Sequence, residues 1–244
     1  MKERRVIKEL ETGAEVLDNL SGATAFNNWI FEQFLPHCKG NILEIGSGTG
    51  NISNLMLQHF PHVTLSNIES YYNKILAGKF AGNPSLEDII TLDIVSSHFD
   101  EGGIELTGKF DTVIAVNVIE HVEDDMTAFR NCGKLLNRNG HLLILVPAYQ
   151  WLYNRVDKNL GHFRRYTAGS LKKKLPENFR LLSLKYFNLA GIPGWFFNGH
   201  VLNNEIISRN KVNLFNKLVP ALKLLDKLVF NKAGLSVVMV AEKQ

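Results

Sequence analysis

An α/β fold, built on a doubly wound, mostly parallel sheet of seven strands, is what this 244-residue sequence predicts. Three observations carry that reading. Between Asn41 and Pro147, short runs rich in Val, Ile and Leu alternate with stretches of helical periodicity. The runs are almost continuously apolar, as strands buried on both faces of a parallel sheet should be. Two more such runs follow a long excursion, so an antiparallel C-terminal strand and helical cap insertions complete the expectation.

The elements follow in order. NILEIG (41–46) reads as the first strand and Asn51–Phe60 as the helix after it. HVTLSNIE (62–69) is a second strand, followed by a helix over Tyr71–Phe80. DIITLDIV (88–95) and FDTVIAVN (110–117) are the third and fourth, the latter followed by a helix over Asp124–Leu136. HLLILVPA (141–148) is the fifth. Alternation of this kind implies right-handed crossovers. LLSLKYFN (181–188) and LSVVMVAEK (235–243) are the sixth and seventh, the last entering antiparallel at an edge. A single domain is expected over 1–244. Within it, 1–40 forms an N-terminal helical lid, 41–148 the ligand-binding core, and 149–180 and 189–234 cap segments. The caps belong over the carboxyl ends of the strands, where open α/β sheets bind ligands.

Composition narrows the class. At 45% apolar and 21% charged the chain reads as globular. No apolar run approaches the roughly 20 residues that span a bilayer, and the charged start MKERRVIKELE lacks the pattern of a secretory leader. Cys38 and Cys132 are isolated, without a metal-ligand spacing, which fits a reducing cytoplasm. Charge is unevenly spread: residues 1–150 hold 11 Lys/Arg against 19 Asp/Glu, and residues 151–244 hold 16 against 5. A basic C-terminal part fits an anionic substrate, nucleic acid, a membrane surface, or simply a solvated face. In KVNLFNKLVPALKLLDKLVF (211–230), Phe215, Leu218, Leu222, Leu225 and Val229 share one helical face and Lys217, Lys223 and Lys227 the other. That face either packs on the domain or lies on a membrane interface, and Pro220 starts or kinks the helix.

The loop after the first strand directs the chemistry. Gly46, Gly48 and Gly50 alternate, and position 51, where a dinucleotide fingerprint has its third glycine, is Asn. Glycine lets main chain come close to a ligand because it has no Cβ. With Glu44 ahead of it, LEIGSGTGN resembles motif I of the class I S-adenosylmethionine-dependent methyltransferases. Glu69, 19 residues after Gly50, closes the second strand with two acceptor oxygens suited to a ribose diol. TLDIV and FDTVIAVNVIEHVEDD resemble the same family at the third and fourth strands. The resemblance covers about 26–148, with FNNW (26–29) as part of the lid, and implies a Rossmann-like methyltransferase fold with S-adenosyl-L-methionine as cofactor and S-adenosyl-L-homocysteine as product. It implies cofactor contacts from Glu44, Gly46, Ser47, Gly48, Gly50, Asn51, Glu69, Ser70, Asp93, Ile94, Asn117 and Val118. Asp93 would meet the adenine amino group, Ile94 would wall the ring, and the Asn117 carbonyl would face the ammonium.

The acceptor end is less defined. Glu120-His121 would stand over the reaction centre. After the fifth strand, PAYQWLYNRVDKNLGHFRRYT (147–167) crowds aromatic, basic and acidic residues together. It resembles a methyltransferase subgroup with a GHxRRY stretch at this place. Aromatics can exclude water, Arg can hold an anion, and Asp or His can take a proton. The candidate catalytic residues are His121, Asp157 and His162. The candidate substrate contacts are Tyr153, Arg164, Arg165, Tyr166 and Asn188, with Trp195 near the last. No metal is expected. Asp157 could instead pair with Arg155 or Arg164, and Thr167 is placed to cap a helix. The expected activity is methyl transfer to a small or lipid-linked, anionic acceptor. Modification of nucleic acid, a non-catalytic cofactor-binding or membrane-interface role, and a dehydrogenase are the alternatives.

Overall fold

The computed structural model describes residues 22–99, 104–202 and 209–244. Its seven strands are β1 (Ile42–Ile45), β2 (Val63–Asn67), β3 (Leu86–Thr91), β4 (Phe110–Val116), β5 (Leu136–Pro147), β6 (Phe179–Phe187) and β7 (Ser236–Lys243). They form one sheet in the order β3-β2-β1-β4-β5-β7-β6. β1 to β5 run parallel, and β7 runs antiparallel to both of its neighbours. The C-terminal strand enters antiparallel in the pair that closes the sheet's edge, and within that pair it takes the inner place, between β5 and β6. The insertion buries Val237–Ala241 on both faces, which suits the apolar run SVVMVA better than an edge would.

Strand alternation sorts the core into two layers. Leu43 and Ile45 of β1, Val113 and Ala115 of β4, and Leu142, Ile144 and Val146 of β5 face one way. Helix α4 (Asp125–Leu135) covers them with Ala128, Phe129 and Cys132. Ile42, Ile114, Leu143 and Leu145 face the other way. There they meet α1 (Thr24–Phe34), α2 (Ser53–His59), α3 (Ser70–Lys79) and α8 (Arg209–Leu228). This is the three-layer, doubly wound arrangement the alternation predicts.

Two helices are fixed by their packing. In α1, Trp29, Ile30, Phe31 and Phe34 are buried in the second core layer, and Trp29 packs on Phe187 with ring centroids 4.5 Å apart. The remainder of the expected lid, residues 1–21, lies outside the described residues. In α8 the buried face is Val212, Val219 and Asp226, with Phe215 and Leu222 partly buried beside them. Leu218 and Leu225, expected on that face, are exposed. Asp226 lies on the packing face instead, and its carboxylate accepts the backbone N–H groups of Asn188 (2.6 Å) and Leu189 (2.8 Å). Pro220 lies within the helix rather than at its start. No helix among the described residues is long and apolar enough to cross a membrane.

The register fixes where the site belongs. Pro147 of β5, Ser236 of β7 and Phe187 of β6 are level with one another, at the same end as Ile45, Asn67 and Val116. Two short helices, α5 (Arg155–Asn159) and α6 (Ala168–Lys172), follow β5 from that end, and α7 (Gly191–Phe196) follows β6. Strand order reverses between β1 and β4, so the crevice lies beyond their carboxyl ends.

Candidate active site

The glycine loop leaves β1 with a backbone that demands glycine. Gly46, Gly48 and Gly50 have φ of 67°, 54° and 80°, a region L side chains disfavour. A Cβ on Gly46 would lie 2.6 Å from Val118 Cγ2, and one on Gly50 would lie 2.6 Å from the Phe80 ring. The loop is held from several sides. Ser47 N–H donates to Ser66 O (2.8 Å) and Gly48 N–H to Asn67 Oδ1 (2.7 Å). Lys79 Nζ, at the end of α3, donates to the carbonyls of Thr49 (2.8 Å) and Gly50 (3.2 Å). Glu44 is buried behind the loop and accepts a hydrogen bond from the Ser53 hydroxyl at the start of α2. Burial pushes its pKa up to about 7, against the pull of its hydroxyl partners.

Glu69 sits at the N-cap position of α3, half-buried, and its side chain makes no capping bond; Ser70 beside it is exposed. Asp93 lies two residues beyond β3, not inside it, and its Oδ1 accepts from Val95 N–H (2.9 Å). That matches the cost of an unpaired carboxylate within a buried strand. The Ile94 side chain is in the core and its carbonyl accepts from Asn131 Nδ2 (2.8 Å). Asn117 ends β4 in a left-handed conformation, φ 53°, exposed, with its N–H on Leu145 O. Asn51 continues the glycine turn, half-buried.

Beyond Val118, a 3₁₀ turn over Ile119–His121 carries the acceptor end. Glu120 is fully buried, and neither of its carboxylate oxygens has a hydrogen-bond partner. Burial pushes its pKa up to about 7, with His162 opposing the shift. The His121 and His162 rings meet edge to face, centroids 4.6 Å apart. His121 keeps exposed surface yet is hemmed in by protein. That enclosure, with the adjacent His162, lowers its pKa, so it is a neutral imidazole at neutral pH.

His162 is oriented by Asp157, which lies in α5: Nδ1 and Oδ1 are 2.8 Å apart. Asp157 also takes Arg165 Nε (2.8 Å) and Asn154 N–H (3.0 Å). Burial alone would raise the Asp157 carboxyl, but these bonds outweigh it and hold the pKa below the usual carboxylate range. The partner is thus Arg165, not Arg155 or Arg164. Phe163 N–H on Glu120 O (2.8 Å) docks the loop onto the 3₁₀ turn.

The remaining expected substrate contacts are largely spent on holding this loop. Arg165 is buried, with Nη1 on Ala148 O and its guanidinium 4.5 Å over Trp195. Tyr166 is buried and donates to Asp125 Oδ2 (3.0 Å). Arg164 pairs with the same carboxylate at 2.9 Å but stays partly exposed. Asn188 is buried, and its Oδ1 accepts from Gly191 N–H (2.9 Å). Tyr153 donates to His162 O (2.7 Å) and is half-buried. Thr167 caps α6 in a reciprocal box with Ser170. Sequence reading missed Asn67 and Lys79 as holders of the loop; it placed Glu120 with His121 over the reaction centre but did not name it among the candidate catalytic residues.

The site fits the expected cofactor. Gly46, Gly48 and Gly50 turn the main chain with positive φ, the Thr49 hydroxyl is buried without a hydrogen-bond partner, and an uncapped carboxylate lies at the neighbouring strand tip. A methyltransferase-domain family model matches residues 22–204. Malonyl-[acyl-carrier protein] O-methyltransferase 1 of Ilyobacter polytropus is 23% identical, over 98% of this chain and 94% of its own length. Ribosomal RNA small subunit methyltransferase C of Enterobacter sp. (strain 638) is 28% identical over 49% of this chain, which spans only 35% of that protein. The solved structure of a SAM-dependent methyltransferase from Archaeoglobus fulgidus has the same fold, with a TM-score of 0.56 at 16% identity over 89% of this chain and 94% of that one. Fold, glycine loop and family match thus converge: the chain belongs to the class I S-adenosylmethionine-dependent methyltransferases, enzymes whose methyl donor is S-adenosyl-L-methionine.

Proposed function

We propose that this methyltransferase acts on an oxygen of a small or lipid-linked, anionic acceptor, deprotonated at the Glu120–His121–His162 cluster. The carrying observation is that cluster, joined through the 3₁₀ turn to Val118, which abuts the glycine loop. The bound cofactor supplies an electrophilic methyl group on a sulfonium, so the bond made is oxygen to carbon and the bond broken is carbon to sulfur, leaving a neutral thioether.

The chain's own residues position and protect. Gly46, Ser47, Gly48, Gly50, Asn51 and Val118 shape the cradle, with Glu44 bracing it from behind. Glu69 accepts the ribose hydroxyls beside Ser70, and Asp93 faces the adenine amino group. Ile94 backs the ring only through the core, and the Asn117 carbonyl meets the ammonium. The acceptor loses its proton at the cluster, with Asp157 holding the His162 ring at Nδ1. Arg165, Tyr166 and Asn188 keep the cap folded, while Arg164 and Tyr153 lie at its rim. The chain acts as one domain, with the cap segment 149–180 and α7 following the carboxyl ends of β5 and β6.

An oxygen acceptor is favoured because the cluster offers Glu120, an acid whose pKa is raised to about 7 by burial, which can take a proton near neutral pH, beside the neutral His121 imidazole. The name of the Ilyobacter relative, an O-methyltransferase of a carrier-linked acid, supports the same class. A lipid-linked acceptor is supported by α8. Leu214, Leu218, Leu225 and Leu228 form an exposed apolar row, with Lys217 and Lys227 exposed beside it. We place that row against an anionic membrane surface, on the cytoplasmic side, where the free thiols of Cys38 and Cys132 remain reduced.

Labelled cofactor incubated with the protein and fractionated cell extract tests the acceptor class. Label is expected in small-molecule or lipid fractions as a base-labile ester or stable ether, and to fall at least tenfold with His121→Ala. Label confined to RNA, or to protein from which thioester cleavage does not release it, would overturn the reading.

A further inference from the structure

We propose that Glu120, His121 and His162 bind a single divalent transition-metal ion. The inference deepens the acceptor site proposed above and rests on that placement, but ion binding is measurable without methyl transfer.

Three observations carry it. Both Glu120 oxygens are buried and unpartnered. Buried carboxylates are satisfied almost without exception, and an orphan of this kind asks for a missing ion or water. Next, one ligand atom from each of Glu120, His121 and His162 lies within 4.8 Å of the others. With metal–ligand bonds of about 2.0–2.2 Å, two donors on one ion lie no more than roughly 4.4 Å apart. A small rotamer adjustment of the exposed His121 closes the difference.

The third observation is independent of the cluster's spacing. Asp157 holds His162 at Nδ1, which leaves Nε2 as the donor toward the crevice. A carboxylate behind a ligating imidazole is the support that metal-bound histidines usually have. Asp157 is itself anchored by Arg165 and Asn154, so the ring orientation is set before any ion arrives. Arg165 also places positive charge behind the site, so the ion is neutralised chiefly by Glu120.

The donor set selects the ion. Two imidazoles and one carboxylate suit Mn²⁺, Fe²⁺, Co²⁺ or Zn²⁺ better than Mg²⁺ or Ca²⁺, which prefer all-oxygen shells. Three protein ligands leave positions open for an acceptor oxygen. An ion there lowers the pKa of a coordinated hydroxyl, so the acceptor's proton leaves to solvent as the ion binds its oxygen. Asn117, Val118 and the glycine loop are the adjoining elements, so the oxygen is held next to the methyl-donor cradle.

The test uses the full chain stripped with a chelator and then exhaustively dialysed. Titration with MnCl₂, followed by the EPR signal of free Mn²⁺, is expected to show one ion bound per chain. Competition with ZnCl₂ should displace it. Glu120→Gln keeps the shape and removes the charge, and should weaken binding at least tenfold. Asp157→Asn should weaken it 10- to 100-fold through the His162 ring. His121→Gln changes an exposed side chain, so it keeps the test valid if a buried variant fails to fold, and it should also lose at least tenfold. Binding of S-adenosylhomocysteine, followed by calorimetry, should persist in all three variants. Absence of stoichiometric Mn²⁺ or Zn²⁺ binding to a chain that still binds S-adenosylhomocysteine would overturn the proposal. So would unchanged ion affinity in Glu120→Gln and His121→Gln. Ion binding without methylation of any extract fraction would leave this site standing and remove the acceptor reading instead.

Discussion

Glu44 shows how one residue can brace a ligand loop at a cost in stability. It lies in the middle of β1, fully shielded from water, and its main partner is the Ser53 hydroxyl. Its pKa in the fold, about 7, is above the ordinary 4.5. The folded state therefore holds the proton more tightly than the unfolded chain. The sign follows from linkage: the contribution favouring the fold is complete below about pH 4.5 and is lost as pH rises through about 7. Glu44→Gln removes the titration and keeps an acceptor for Ser53. Urea unfolding at pH 5 and pH 8 should show the variant gaining on the native chain at the higher pH, by up to about 1.4 kcal/mol for each pH unit crossed within the window. Equal differences at the two pH values would mean that Glu44 stays charged. The motif made an acid at this position legible; its burial against α2 was not, because nothing in LEIGSGTGN says which strand face the helix covers.

Helix α8 carries the argument at the scale of an element. Its apolar residues cover more than half of the helix circumference, and the domain needs only part of them. Phe215, Val219 and Leu222 pack onto the second core layer, while Leu214, Leu218, Leu225 and Leu228 stay exposed beside lysines. A contiguous apolar row on a surface marks a contact site. Co-sedimentation with vesicles of phosphatidylcholine and phosphatidylglycerol should pull down the native chain, and salt should weaken the effect. The double variant Leu214→Glu/Leu218→Glu changes exposed positions only, so it should stay folded and lose at least tenfold in vesicle affinity. Unchanged sedimentation would remove the membrane from the picture, and a dimer in analytical ultracentrifugation that the variant abolishes would assign the row to a second copy. The amphipathic pattern was readable as periodicity, but periodicity does not say which of two adjacent apolar faces is taken.

For the molecule as a whole, Asp226 ties the excursion 189–234 back to the sheet. Its carboxylate accepts the first two N–H groups after β6, at the point where Asn188 turns with a φ of 65°. Removing it leaves two sheltered donors without partners. Asp226→Ala should therefore cost about 2–4 kcal/mol in urea unfolding, with Asp226→Asn losing less because one acceptor oxygen remains. A loss below about 0.5 kcal/mol would show that water replaces the carboxylate. Nothing in KLLDKLV distinguishes this Asp from a solvated one. Its role depends on a partner 38 residues away in sequence.

Local pattern was enough for the strands, the α/β class and the glycine turn, because each is written in consecutive residues whose spacing reflects backbone geometry: alternate glycines for left-handed turns, unbroken Val, Ile and Leu for strands covered on both faces. The methyl-donor cofactor followed from the resemblance of LEIGSGTGN and the later motifs to the methyltransferase family. Chain folding at long range settled the rest. It put β7 between β5 and β6, made α1 a core helix, spent Arg165 and Tyr166 on internal partners, and gathered Glu120, His121 and His162 around one point. Those outcomes are pairings between distant segments, set by which surfaces bury each other and which buried charges find partners, and no short stretch of sequence contains both halves of such a pair.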